Sequence, residues 1–177
     1  MTQRQEFRTL QTFSDFEVRE YAPCVIAEVK VSAQYSTASS SAFAYLFKYI
    51  SKGNKTSQQI AMTAPVIAAQ KVDGSESEDW FVSFVMPSGS TFGRLPHPND
   101  PRVVLRELDK QTCIATSFRG KATQELSEKK VSELRAAAAR ENIAVSSETR
   151  ICRFDPPFKP GFLQYNEIVI PLMLSRN

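Results

Sequence analysis

Imidazole chemistry is the first thing this sequence limits. It holds one His beside three Cys, so a zinc site with two His is impossible and an imidazole base could come only from His97. His97 sits in Leu-Pro-His-Pro-Asn-Asp-Pro, a context that predicts an extended, exposed loop. Cys24, Cys113 and Cys152 form no CxxC pair, and each lies in or beside a strand-like apolar run, which predicts buried free thiols. Serine is plentiful but no GxSxG is present, and the glycines are too scattered for a phosphate loop. Asp73, Glu76, Glu78 and Asp79 cluster without the spacing of a calcium loop. Away from loops the acid–base inventory is Glu20, Glu28 and Glu107, and the adjoining Arg19 and Arg106 predict ion pairs. No catalytic residue and no metal ligand is assigned.

Two apolar features remain. Phe43, Leu46, Phe47 and Ile50 fall at i, i+3, i+4 and i+7, one stripe of a helix. Beside them lie Ala44, Tyr45, Lys48 and Tyr49, and the preceding turns carry the small residues Ala38 and Ser39, Ser40 and Ser41. Large aromatics beside small residues, with Lys48 on the rim, could floor a flat hydrophobic ligand and meet its carboxylate; the alternative is that the stripe is core. The second feature is Pro156-Pro157-Phe158-Lys159-Pro160-Gly161-Phe162-Leu163. It places Phe158, Phe162 and Leu163 in a turn, where apolar side chains need a cover.

These features must be positioned by a scaffold, and the chain writes that scaffold twice. Residues 16–31 hold two alternating apolar runs hinged at Ala22-Pro23, which predicts a strand pair. Residues 103–120 repeat the parts in order: Arg19-Glu20 is answered by Arg106-Glu107, and Cys24 by Cys113. Each pair precedes a helix: the stripe above, with Ser36 or Thr37 as cap and Gly53-Asn54 as stop, and residues 125–141 with Val131, Leu134 and Ala138. Two more strands follow each helix, at 59–68 and 80–86, and at 149–154 and 167–174. Residues 71–79 read as a polar hairpin loop. Four prolines in 87–101 make a stiff crossover between half-repeats at about 13–90 and 100–174. Each unit is β-β-α-β-β. Two such units must bury their bare sheet faces together, predicting one α+β domain over 1–177 with pseudo-two-fold symmetry, a distorted antiparallel barrel flanked by two helices.

The 177 residues suit one domain. Their 42% hydrophobic and 23% charged content is that of a globular chain. A net charge of +3 is too mild to argue for nucleic acid. The first residues form no apolar signal, and no apolar run reaches the roughly 20 residues that cross a bilayer. A cytoplasmic protein with no membrane partner is the expectation.

Several separated blocks carry a resemblance. They are Phe16-Glu17-Val18-Arg19-Glu20-Tyr21, Lys52-Gly53-Asn54, Met62-Thr63-Ala64-Pro65-Val66, residues 80–87 (WFVSFVMP), Asp155-Pro156-Pro157-Phe158-Lys159-Pro160 and Asn166-Glu167. With them the chain resembles the SOUL/haem-binding protein family over roughly residues 13–174, and its architecture is similar to the effector-binding domains of multidrug-responsive regulators. The resemblance implies a shallow apolar groove for haem or another tetrapyrrole, without enzymatic activity, between one face of the first helix and the loop joining the last two strands. Carried onto this chain, the helix face is Ser40, Phe43, Ala44, Phe47 and Lys48, and the loop runs from Phe158 through Phe162 and Leu163 to Tyr165. Where some relatives are thought to ligate iron with a His, this chain has Glu20; packing would then hold the ring, with Lys48 as the propionate partner. Two alternatives stay open: an effector-like module for other apolar or cationic small molecules, and a haem-dependent enzyme with iron on Tyr45, a Cys or His97.

Overall fold

Period-two alternation governs most of this chain, and it produces strands. The computed structural model describes residues 2–32, 34–71 and 79–173; the acidic residues between 73 and 78 lie outside them. In order the elements are β1 (Gln3–Arg4), β2 (Phe7–Thr12), β3 (Glu17–Tyr21), β4 (Cys24–Ser32), α1 (Tyr35–Ile50), β5 (Thr63–Ala64), β6 (Val66–Lys71), β7 (Asp79–Val85), β8 (Val104–Leu108), β9 (Gln111–Arg119), α2 (Gln124–Arg140), β10 (Glu148–Arg153) and β11 (Tyr165–Pro171). A short 3-10 turn, Gly161–Leu163, precedes β11.

Nine strands form one curled antiparallel half-barrel in the order β2-β3-β9-β11-β10-β6-β7-β4-β8, and β1 pairs with β5 in parallel beside it. The order is symmetric about the β10–β6 pair: β11, β9 and β3 on one side answer β7, β4 and β8 on the other. The strands on either side of Ala22-Pro23 do not pair with each other, contrary to the hairpin the sequence suggests. Instead β3 pairs with β9 and β4 with β8, so the two halves exchange strands. The N-terminal strand β2 was not expected; it pairs with β3, all its residues exposed.

Alternation sorts the side chains onto two faces. Val25, Ala27, Val29, Val82, Phe84, Ile114, Ile151, Ile168 and Ile170 face the helices and join Leu46, Tyr49, Leu134 and Ala138 in the main core. Ile26, Ile67, Val85, Cys113, Ala115, Cys152 and Val169 form a second cluster on the opposite face. All three cysteines belong to that side, as free thiols. Desolvation pushes the Cys113 thiol up to about 11 and raises those of Cys24 and Cys152. Among the described residues no helix is long and apolar enough to cross a membrane.

Candidate functional site

Helix α1 begins at Tyr35, ahead of the expected Ser36 or Thr37 cap; its cap residue Gln34 makes no side-chain cap bond. Thr37 instead donates its hydroxyl to the Gln34 carbonyl. The helix packs on β4 and β7 and buries Ala42, Leu46, Tyr49 and Ile50. The expected stripe is therefore split. Leu46 and Ile50 are core, whereas Phe43 is half-buried and Phe47 stays 48% exposed. The two rings stack with centroids 5.7 Å apart and planes 12° off parallel, and Phe43 rests edge-on against Phe84 at 5.3 Å. Around them Ser40, Ala44 and Lys48 are exposed. The face so made is flat, apolar at its centre and small-residued at one end.

The helix exit is clamped by the Lys52-Gly53-Asn54 block. Lys52 takes a positive φ of 78°, and a Cβ on Gly53 would lie 2.4 Å from the Lys48 carbonyl oxygen. The buried Asn54 amide donates to the Tyr49 and Gln58 carbonyls. The proline crossover docks here rather than standing apart from the helix. Tyr49 donates its hydroxyl to the Pro96 carbonyl at 2.8 Å, and Asn99 N–H donates to the Gly53 carbonyl. His97 is exposed, as expected, and its carbonyl accepts from Lys55. Arg102 lies 3.8 Å over the Tyr45 ring and grips Asp100 through two guanidinium nitrogens. Those bonds, helped by the charge of Lys48, hold the Asp100 carboxyl below its usual range.

The loop between β10 and β11 is the other candidate wall. Asp155 anchors it, accepting from Tyr165 N–H at 2.7 Å and from Lys159 at 2.9 Å, and these bonds lower its pKa. Phe158 is 87% exposed, Phe162 77% and Leu163 43%. The register Arg153–Val66–Phe84 roots this loop two strands, about 10 Å, from the residue on which Phe43 rests. Among the described residues no hydrogen bond, ion pair or ring contact joins α1 to the loop. Tyr165 is set apart from the other eight residues. Its strand parity matches Glu167 and Val169, so it lies on the face opposite α1, where its hydroxyl donates to Glu167. Its ring meets Phe154 at 5.2 Å, with the Arg4 guanidinium 5.6 Å away.

That opposite face is filled by its own charges. Buried Arg19 donates to both oxygens of buried Glu167, at 3.0 and 2.8 Å, and also to Glu17 and the Tyr21 hydroxyl. Phe7 covers the guanidinium at 4.0 Å. Arg150 is paired with Glu148, and Arg106 with Glu28, so two of the three acids singled out as possible acid–base groups, Glu20 through Arg8 and Glu28, are in ion pairs. A small cleft between the N-terminal segment and residues 86–90 measures about 60 Å3, room for a few waters.

Sequence reasoning missed the groups that flank both walls. Arg102 and Asp100 reach α1 because the crossover folds back. Arg119 and Lys121 reach the loop because β9 pairs with β11, with Arg119 opposite Tyr165. Only the strand register could have shown this.

Comparison with known proteins bears on the whole chain. A heme-binding protein 1 from Xenopus laevis is 26% identical over 147 residues, 82% of this chain and 77% of the relative. In fold the chain is similar to the C-terminal domain of EcmrR (TM-score 0.71, 11% identity, 96% of this chain and 99% of that one). It is also similar to a hydrolase from Listeria innocua (TM-score 0.61, 13% identity, 90% and 92%). At such identities the two structures speak for the architecture alone. The SOUL heme-binding protein profile matches residues 2–171, spanning the half-barrel, both helices and the loop; the chain belongs to that family.

Proposed function

We propose that this chain binds haem or a related tetrapyrrole on the exposed face of α1, as a carrier or buffer and not as an enzyme. Family membership supports a haem-type ligand; the face assigned to it is our reading. One observation carries it: a stacked Phe43–Phe47 pair whose outer ring, Phe47, stays open to solvent on a helix that buries Leu46, Tyr49 and Ile50. A planar ring laid on Phe47 extends that stack, with Ser40 and Ala44 giving clearance and Lys48 meeting a propionate. Phe158, Phe162 and Leu163 supply the second wall, and Tyr165 braces the loop's root. Covering about 200 Å2 of apolar surface contributes about 5 kcal/mol before ordering costs.

The residues present suit the ring better than the iron. The three thiols lie on the other face of the sheet with raised pKa values, and Tyr45 is covered by Arg102. Binding therefore relies on packing, so free-base and metallated rings bind with similar affinity. A haemin titration should shift the Soret band, and Phe47→Asp should abolish the shift. A wild-type spectrum identical to that of free haemin overturns the reading.

The alternative of a module for cationic small molecules, housed on the opposite face, requires an unpaired internal carboxylate. Glu167 is buried there, but Arg19 already neutralises it in bidentate geometry. That pairing favours the α1 face.

A further inference from the structure

The two most exposed large apolar side chains among the described residues, Phe158 and Phe162, project from a loop that is braced rather than slack. Within residues 156–165, Lys159 N–H donates to the Pro156 carbonyl, Leu163 to Pro160 and Gln164 to Gly161. The Gln164 side chain donates to the Lys159 carbonyl, and Tyr165 N–H to Asp155. Arg119 closes the Leu163 carbonyl at 3.1 Å, and Gly120 N–H closes that of Gln164. Pro156, Pro157 and Pro160 have no N–H to satisfy. These bonds fix the frame of the loop and leave the backbone of Phe158 and Phe162, among the described residues, without a hydrogen bond of its own. A rigid proline frame also means the rings lose little freedom when they are covered.

The base of the loop is basic. Arg119 and Lys121 are exposed, and among the described residues neither has a carboxylate within ion-pair reach. Lys121 backs directly onto Gly161, since a Cβ there would meet the Lys121 Cβ at 3.4 Å. Lys159 is paired with Asp155, and Glu125 in the first turn of α2 is the next acid along the chain. Arg119 and Lys121 remain in excess. Two aromatic wedges above a cationic collar, on a braced loop, fit an anionic lipid interface: rings at the headgroup and acyl-chain boundary, guanidinium and ammonium at headgroup phosphates.

We propose that residues 158–163 form an interfacial anchor that docks this protein on anionic bilayers, against the expectation of no membrane partner. The proposal does not rest on the tetrapyrrole reading. The test is co-sedimentation of the full chain with vesicles of phosphatidylcholine alone and of phosphatidylcholine with 30% phosphatidylserine. Binding is expected only to the second, reduced at least ten-fold by Phe158→Ser with Phe162→Ser, and several-fold by Arg119→Gln with Lys121→Gln. Phe47→Asp should leave vesicle binding intact whatever it does to haemin. The proposal is overturned if wild type ignores both vesicles, if it binds both equally, or if the double Phe variant binds as wild type does. It is equally overturned if sedimentation equilibrium shows a dimer, abolished by that double variant, in place of vesicle binding.

Discussion

Cys113 and Cys152 illustrate what a residue type alone cannot say. Their sequence context marks them as buried thiols, and burial is what the fold delivers. The consequence is a pH dependence with a definite sign. A buried thiol whose pKa is raised favours the folded state below the unfolded thiol value, about 8.5–9, and that contribution is lost as pH rises toward the folded value of about 11 for Cys113. Stability measured by denaturant should therefore decline across that window, by up to about 1.4 kcal/mol per pH unit for each such thiol. Cys113→Ala should make the slope shallower. Asp100 offers a second test at this scale. It pairs with Arg102 and feels the charge of Lys48, so on the proposed site it would offset the rim's attraction for carboxylates. Exposed pairs of this kind contribute little, so Asp100→Asn should tighten dicarboxylic porphyrins by no more than a few-fold while leaving esterified ones unchanged. The exposure of Phe158, Phe162 and Leu163 was legible from composition. Asp100, Arg102, Arg119 and Lys121 were not, because each reaches its wall by tertiary folding alone.

At the scale of elements, both helices and seven strands of the paired units were legible, since each rests on an apolar period of 3.6 or 2; the strand expected at 59–68 lies instead at Val66–Lys71, preceded only by the short β5. Boundaries moved where local chemistry outweighed the pattern. Helix α1 starts before its hydroxyl residues, whereas α2 starts where Thr123 accepts from Leu126 N–H. Strand β2 was missed because its residues are all exposed and carry no apolar alternation. The helix exit supplies the sharpest element-level test. Gly53→Ala puts a methyl against the Lys48 carbonyl, and overpacking against backbone costs about 1–3 kcal/mol. Since that turn also seats the crossover, the variant should lose thermal stability and loosen residues 96–102, read as faster amide exchange at Asn99.

At the scale of the molecule, the two-unit reading of the sequence anticipated the β-β-α-β-β order but not its exchange of strands. Pairing partners are chosen by which apolar faces meet, and nothing in the Ala22-Pro23 hinge records that β3 will reach β9. Each half lacks the strand that completes its own sheet: β3 borrows β9, and β8 borrows β4. The main core likewise draws on both halves, Phe84 and Val82 beside Ile151 and Ile168. Fragments 1–90 and 91–177 should therefore each be unfolded alone by near-ultraviolet circular dichroism, and native signal should return on mixing. A cooperative transition in either isolated fragment would show that the halves are self-sufficient.

The same exchange has a consequence during synthesis. When residue 90 leaves the ribosome, β3 has β2 but not β9, β4 has β7 but not β8, and the helix-facing core is half built. Roughly ten seconds separate the two halves at ordinary elongation rates. Through that interval the nascent chain presents unpaired strand edges and Phe84, Val82 and Val29 to chaperones or to neighbouring chains. Yield on overexpression should thus depend on holding the first half soluble until β8 and β9 arrive, and slow codons in the crossover should lower it.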